Sequence, residues 1–291
     1  MQVPAWIPDK PRSVLLATDL SSRCDRALDR AMFLVREWSA RLVVLSVVEV
    51  DTGRDAGTPT TDRRVSAYNR IRRDIDSSDD DVTVEVMVRD GNVSEQIGAV
   101  ADETGCSLIV TGTARNELFG RIILGSTVER LARTSRLPLL TVHSRVHGPY
   151  ARIVVASDFS ASSRHALDTI VSLTPDAQPA VFHAFDVPFL GLMDTQRDEL
   201  LVHAKDEAIA AAKAFVSAAG HPELPVVVAH GDAASRLREH ADIHEIDLIV
   251  VASHGHSALY KVLIGSVARR ILETAPCDTL LVPEPQARAG K

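Results

Sequence analysis

A chain of 291 residues, 45% hydrophobic and 24% charged, is long enough for two soluble domains, each with its own core. Its net charge of -7 speaks against nonspecific nucleic-acid binding, and its three scattered cysteines, Cys24, Cys106 and Cys277, form neither a disulfide framework nor a Cys-x-x-Cys zinc knuckle. No apolar run approaches the roughly 18 residues of a membrane helix, and the start, Met1-Gln-Val-Pro-Ala-Trp-Ile-Pro-Asp-Lys10, lacks the basic-then-apolar pattern of a signal peptide, so cytoplasm is the expected compartment.

In chain order, apolar strands are expected near 13–18, 41–48, 82–88, 107–111 and 138–142, with helical patterns near 22–38, 62–76, 93–104 and 125–135. Strands near 152–157, 179–185, 225–229, 247–252 and 278–282 follow, and an alanine-rich helix is expected near 194–219. Strands alternating with helices predict an α/β fold with a doubly wound parallel sheet. Pro149 and the polar stretch from Ser144 to Gly148 mark a join, giving expected domains 1–146 and 147–291.

The second half repeats the first. Ser13-Val-Leu-Leu-Ala-Thr-Asp19-Leu-Ser answers Arg152-Ile-Val-Val-Ala-Ser-Asp158-Phe-Ser at an offset of 139, and Gly91 answers Gly231 at an offset of 140. Leu124-Gly125-Ser126 answers Ile264-Gly265-Ser266 at that same offset. A period this long is domain-sized, beyond the 20–50 residues of solenoid repeats.

Ligands of open parallel sheets sit at the carboxyl ends of the strands. After the first strand of each copy stand Thr18-Asp19-Leu20-Ser21 and Ser157-Asp158-Phe159-Ser160. The serines suit helix capping, and the aspartates suit either a ligand hydroxyl or an anchored turn. After the fourth strand of the second copy runs Ala252-Ser253-His254-Gly255-His256, then Lys261 and Gly265-Ser266. Glycine permits close backbone approach, and free amides at a helix start favour an anion. The competing structural account is a tight loop in which Ser266 caps its helix.

The strand-one Asp and Ser, the Ser253-His254-Gly255 loop with its later Gly265-Ser266, and the closing stretch Ala275 to Val282 resemble a tandem universal stress protein, and the likeness spans almost the whole chain. It implies two Rossmann-like, adenine nucleotide alpha hydrolase-like domains with five-stranded parallel sheets. It also implies a stress-response regulator rather than an enzyme, with at most slow, incidental ATP hydrolysis. Members of the family that bind ATP carry Gly-x2-Gly-x9-Gly-(Ser/Thr). Here the second copy has Ala252 for the first glycine, and the first copy has Arg115 for the second. A methyl group at 252 is tolerated if its φ is negative, whereas Arg115 stands where a phosphate would approach, so the second site is favoured.

By this resemblance the second site comprises Ser157, Asp158, Ala184, Ser253, His254, Gly255, Gly265, Ser266 and Val267. A weaker first site comprises Thr18, Asp19, Val47, Gly112, Gly125 and Ser126. The implied ligand is ATP or AMP, with Mg as its companion ion and no tightly bound metal. The resemblance further implies intramolecular pairing of the domains through the last strands, Pro138 to Val142 and Asp278 to Val282. A homodimer of the whole chain stays open, and charge and hydropathy give the expectation of no nucleic acid and no membrane among its partners. Two alternatives stay open: an interaction module of the same fold without nucleotide, and an ATP-dependent adenylating enzyme, which would want glycines after strand one that this chain lacks. His240 and His244 at helical spacing, and Cys24 near a helix start, are taken as structural.

Overall fold

A computed structural model describes residues 12–49, 60–75, 81–112, 125–187, 197–254 and 264–284. The chain divides into two compact units, Pro8–Pro149 and Tyr150–Lys291.

The first unit holds β1 (Ser13–Thr18), α1 (Asp25–Trp38), β2 (Arg41–Val48), α2 (Thr60–Ile75), β3 (Val84–Asp90), α3 (Val93–Thr104), β4 (Leu108–Gly112), α4 (Ser126–Thr134) and β5 (Leu139–Val142). Its strands run parallel in the order β3-β2-β1-β4-β5. Continuous apolar runs such as Val14-Leu15-Leu16 and Leu42-Val43-Val44-Leu45 are buried to within 1% of their surface, as strands covered on both faces require.

The second unit holds β6 (Ile153–Ala156), α5 (Ala161–Leu173), β7 (Ala180–Phe185), α6 (Arg197–Ala218), β8 (Val226–His230), α7 (Ala233–Ile243), β9 (Leu248–Ala252), α8 (Ser266–Thr274) and β10 (Asp278–Val282). Its own strand order, β8-β7-β6-β9-β10, repeats that of the first. In both units the order reverses direction beside the first strand, at β1/β4 and β6/β9, and the carboxyl ends there form the crevice that doubly wound sheets offer to ligands.

Two boundaries differ from the sequence expectation for identifiable reasons. The third strand runs 84–90 rather than 82–88, because pairing with β2 carries it from Leu42↔Val84 to Val48↔Asp90. The first helix does not start at 22: a 3-10 turn, Ser22–Cys24, precedes α1. Gly91 and Gly231 hold φ of +124° and +119° where strand passes to helix, a region costly to side chains. A Cβ at Gly231 would also stand 3.2 Å from Arg236 Nε.

Candidate functional site

The loops after β1 and β6 are locked by their own side chains. Leu20 N–H donates to Thr18 Oγ1 at 3.0 Å and Ser21 N–H to Asp19 Oδ1 at 2.9 Å. In the second unit Phe159 N–H donates to Ser157 Oγ at 3.0 Å and Ser160 N–H to Asp158 Oδ1 at 3.1 Å. These bonds hold Leu20 and Phe159 at φ of 60° and 64°, a conformation that L-residues with bulky side chains adopt only under constraint. The anchoring role of both aspartates is therefore realised. A carboxylate has about four acceptor positions, so an anchored turn and a ligand contact are compatible roles.

A second donor reaches each aspartate from the first turn after the loop. Ser163 Oγ donates to Asp158 Oδ1 at 2.6 Å, and its counterpart Cys24 donates through Sγ to Asp19 Oδ1 at 3.2 Å. Burial raises the Cys24 thiol pKa, and the Asp19 charge adds to the rise, so Cys24 is a held donor and not a nucleophile. Neither residue was marked as a site element from sequence; only the matching offset of 139 links them. The capping role expected of the serines holds at Ser160, whose Oγ accepts from Ser163 N–H at 3.1 Å. It does not hold at Ser21, where the 3-10 turn intervenes and no side-chain cap forms.

The far wall is the start of α4 or α8. The N-cap residues are Gly125 (φ -60°) and Gly265 (φ -58°), neither able to cap with a side chain, while Ser126 and Ser266 are already the first helical residues. Ser266 therefore does not cap its helix, contrary to the structural account above. By contrast α3, α5 and α7 are capped by Asn92, Ser160 and Asp232. Gly265 N–H donates to Ser253 O at 2.9 Å. A Cβ there would meet Ser253 O at 3.5 Å, ordinary contact, so neither φ nor the described neighbours demand glycine. Ala252 lies at the end of β9 and is absent from the positive-φ residues, which meets the condition for tolerating its methyl group.

Thr18, Asp19, Val47, Gly112, Gly125 and Ser126 all line one cleft of about 420 Å³. Ser157, Asp158, Ala184, Ser253, His254, Gly265, Ser266 and Val267 line its counterpart, of about 180 Å³. Gly255 lies outside the described residues, as do Arg115, His256 and Lys261. The cleft walls also take residues that sequence reasoning missed, Val93 and Ile97 of α3 and Ala233 and Leu237 of α7. Their only signal was an apolar position on the helix after the third strand. Ser253 Oγ and His254 Nδ1 are 2.9 Å apart, and the buried His254 Nε2 has no hydrogen-bond partner. His183 Nδ1 bonds the Ser157 carbonyl at 2.8 Å, and its ring stacks on Phe159 with centroids 4.2 Å apart.

Asp232 ties the second site together from behind. Besides capping α7 through Ser235 N–H (3.0 Å) and Ser235 Oγ (2.7 Å), it receives Arg270 Nη1 and Nη2 of α8 at 2.7 and 2.8 Å. Bonds from Ser235 first, then Arg270, hold its pKa at about 2, below the ordinary 3.8. With the folded value depressed, its stabilising contribution is complete above the unfolded pKa and is lost as pH falls toward about 2. Urea unfolding across this range should therefore show wild-type stability declining more steeply below about pH 4 than that of Asp232→Asn. Parallel profiles would refute it.

His240 and His244 stand with ring centroids 4.3 Å apart, and burial, followed by the His244 charge, lowers the His240 pKa. Among the described residues no group of three or more His, Cys, Asp or Glu is gathered to hold a metal, and no helix is long and apolar enough to cross a membrane.

Fold and cleft together define a protein with two doubly wound α/β domains, each carrying an Asp-anchored loop opposite a glycine-started helix at its switch point. The universal stress protein family model matches residues 11–143 and 149–283, and the chain belongs to that family. A universal stress protein of Methanocaldococcus jannaschii is 30% identical over 144 residues, 47% of this chain and 84% of that protein. A universal stress protein from Archaeoglobus fulgidus shares the fold with a TM-score of 0.69 at 17% identity, over 94% of this chain and 99% of that one. A functionally unknown protein from Pseudomonas aeruginosa does so with a TM-score of 0.68 at 18% identity, over 94% and 92%.

Proposed function

We propose that the chain is a regulatory protein that binds an adenine nucleotide, ATP or AMP, in the cleft of its second domain. The observation that carries this is the start of α8, a helix N-terminus without a side-chain cap behind a glycine that neither backbone conformation nor protein packing requires. Its amides and the positive end of its dipole favour a phosphate, and the missing Cβ lets that phosphate approach. Ala252 in extended conformation supports the same domain. At about 180 Å³ the cleft is smaller than the roughly 300–1,000 Å³ of ordinary ligand pockets, so the nucleotide enters by widening it.

A second reading places the nucleotide in the first domain, whose cleft of about 420 Å³ lies within that range. Amide hydrogen exchange separates the two. Saturating ATP or AMP slows residues 266–268 on the first reading and 126–128 on the second; if neither segment responds, both fail.

The role is regulatory and not catalytic, with any hydrolysis slow, and Mg travels with the nucleotide rather than being held by a protein metal centre. Domains 1–146 and 147–291 are proposed to pair through their last strands. Each of these is the outer strand within its own domain, β5 beside β4 and β10 beside β9. An outer strand with an open edge invites pairing. On this proposal the amides of 139–142 and 278–282 exchange as slowly as those of β1 and β6 in the intact chain. Fast exchange at every second residue would contradict it.

A further inference from the structure

The two clefts differ in how closely their helical walls pack. Their wall substitutions run both ways: Ala184, Ala233 and Ala268 of the second stand where the first has Val47, Val93 and Val128, while His183, Phe182 and Ala252 replace Ser46, Leu45 and Gly112. The second cleft is the smaller, about 180 against about 420 Å³, and α8 lies against α7 more extensively than α4 against α3. Those walls include the first turns of α7 and α8 in the second domain and of α3 and α4 in the first.

The chain carries its own comparison at this point. Arg270 of α8 and Arg130 of α4 are equivalent at the offset of 140, as are Asp232 and Asn92, the caps of α7 and α3. Both caps bond the amide three residues on, at 3.0 Å in one domain and 3.2 Å in the other. Only the aspartate also takes the arginine, in a two-pronged pair at 2.7 and 2.8 Å. A neutral amide has no charge to offer, and Arg130 is left with one longer contact to α3, at 3.8 Å to Glu95 Oε1 between side chains more than half exposed.

We infer that the Asp232–Arg270 pair is a clamp that draws α8 against α7 and holds the second cleft narrow, and that Asn92 leaves the first cleft open. The clamp sits outside the cleft, so it sets the access and affinity of whatever enters without touching it. Its side chains are about half exposed, which places the pair among those sensitive to salt, though its two-pronged geometry makes it stronger than a single contact. A ligand that prefers the wide state must overcome the clamp, and its apparent affinity is the intrinsic affinity multiplied by the fraction of time the cleft is open.

The affinity readout rests on the nucleotide proposal above; the exchange readout does not. In the full-length chain, Asp232→Asn keeps the cap, since asparagine caps as well as aspartate, and removes only the charge. Unliganded amide exchange at 266–268 should rise about two- to fivefold at low salt, the range an exposed pair allows, and added salt should produce much of that rise in wild type but little in the variant. The reciprocal Asn92→Asp should slow exchange at 126–128. ATP binding at the second site should tighten by about the same factor in Asp232→Asn. Unchanged exchange in both variants overturns the clamp. Faster exchange with weaker ATP binding overturns the narrowing role, because the pair would then be organising the site instead of closing it. If wild type binds no nucleotide, the nucleotide proposal fails while the exchange data still decide the clamp.

Discussion

Gly265→Val is expected to weaken nucleotide binding at the second site by about 10- to 100-fold while leaving the fold intact. The size of the loss follows from what a side chain at 265 obstructs. A phosphate seated on the start of α8 would take charge-assisted bonds from backbone amides, each worth about 1.5–3 kcal/mol. Among the described residues a Cβ at 265 would make only ordinary contacts, with Ser253 O at 3.5 Å and His254 Cα at 4.0 Å. Because φ at 265 is -58°, the substitution is not strained. Gly265→Ala is the milder version and should lose less. Fluorescence-detected ATP or AMP binding together with urea unfolding checks both halves of the expectation. A variant that binds as wild type does, or one that loses binding only because it unfolds, contradicts the role assigned to this glycine.

Tyr150→Phe is expected to destabilise the second domain by about 2–3 kcal/mol. Tyr150 Oη donates to Asp278 Oδ2 at 2.6 Å, and Asp278 is completely buried at the start of β10. Removing a donor from a buried acceptor costs about 1–3 kcal/mol, more when the acceptor is charged. The neighbouring Cys277 thiol is pushed up to about 12, by burial first and by the Asp278 charge second. The first domain has Pro138 at the matching place and so lacks this dependence. Urea unfolding followed by exchange in β10 measures the cost. A change below about 0.5 kcal/mol, the range of ordinary surface substitutions, would mean that the phenol is not needed to satisfy the buried carboxyl.

The architecture was legible because it rests on signals that are local and repeated. Short apolar runs such as Leu248-Ile249-Val250, bounded by polar residues, read as strands covered on both faces, and the offset of 139–140 required every element to appear twice. Most of the residues marked from sequence in each copy line one cleft. What sequence could not supply was how neighbouring residues divide the work. The same Asp-x-Ser text ends in a capped helix at Ser160, where the Ser163 amide bonds the Ser160 hydroxyl, and in a 3-10 turn after Ser21, where the Cys24 amide bonds the Ser21 carbonyl. Gly-Ser reads as a cap, yet the glycine occupies the cap position and the serine is already helical. The Asp232–Arg270 pair joins residues far apart in sequence, and nothing in the local pattern of either links them. Each of these depends on which donor folding brings to which acceptor.

The central claim is that the second domain's cleft holds an adenine nucleotide, and calorimetric titration of the full-length chain with ATP and with AMP tests it most directly. The predicted result is saturable binding of one equivalent, strongly reduced in Gly265→Val and retained in Gly125→Val. No saturable binding up to millimolar nucleotide, or binding lost in Gly125→Val and kept in Gly265→Val, would contradict it.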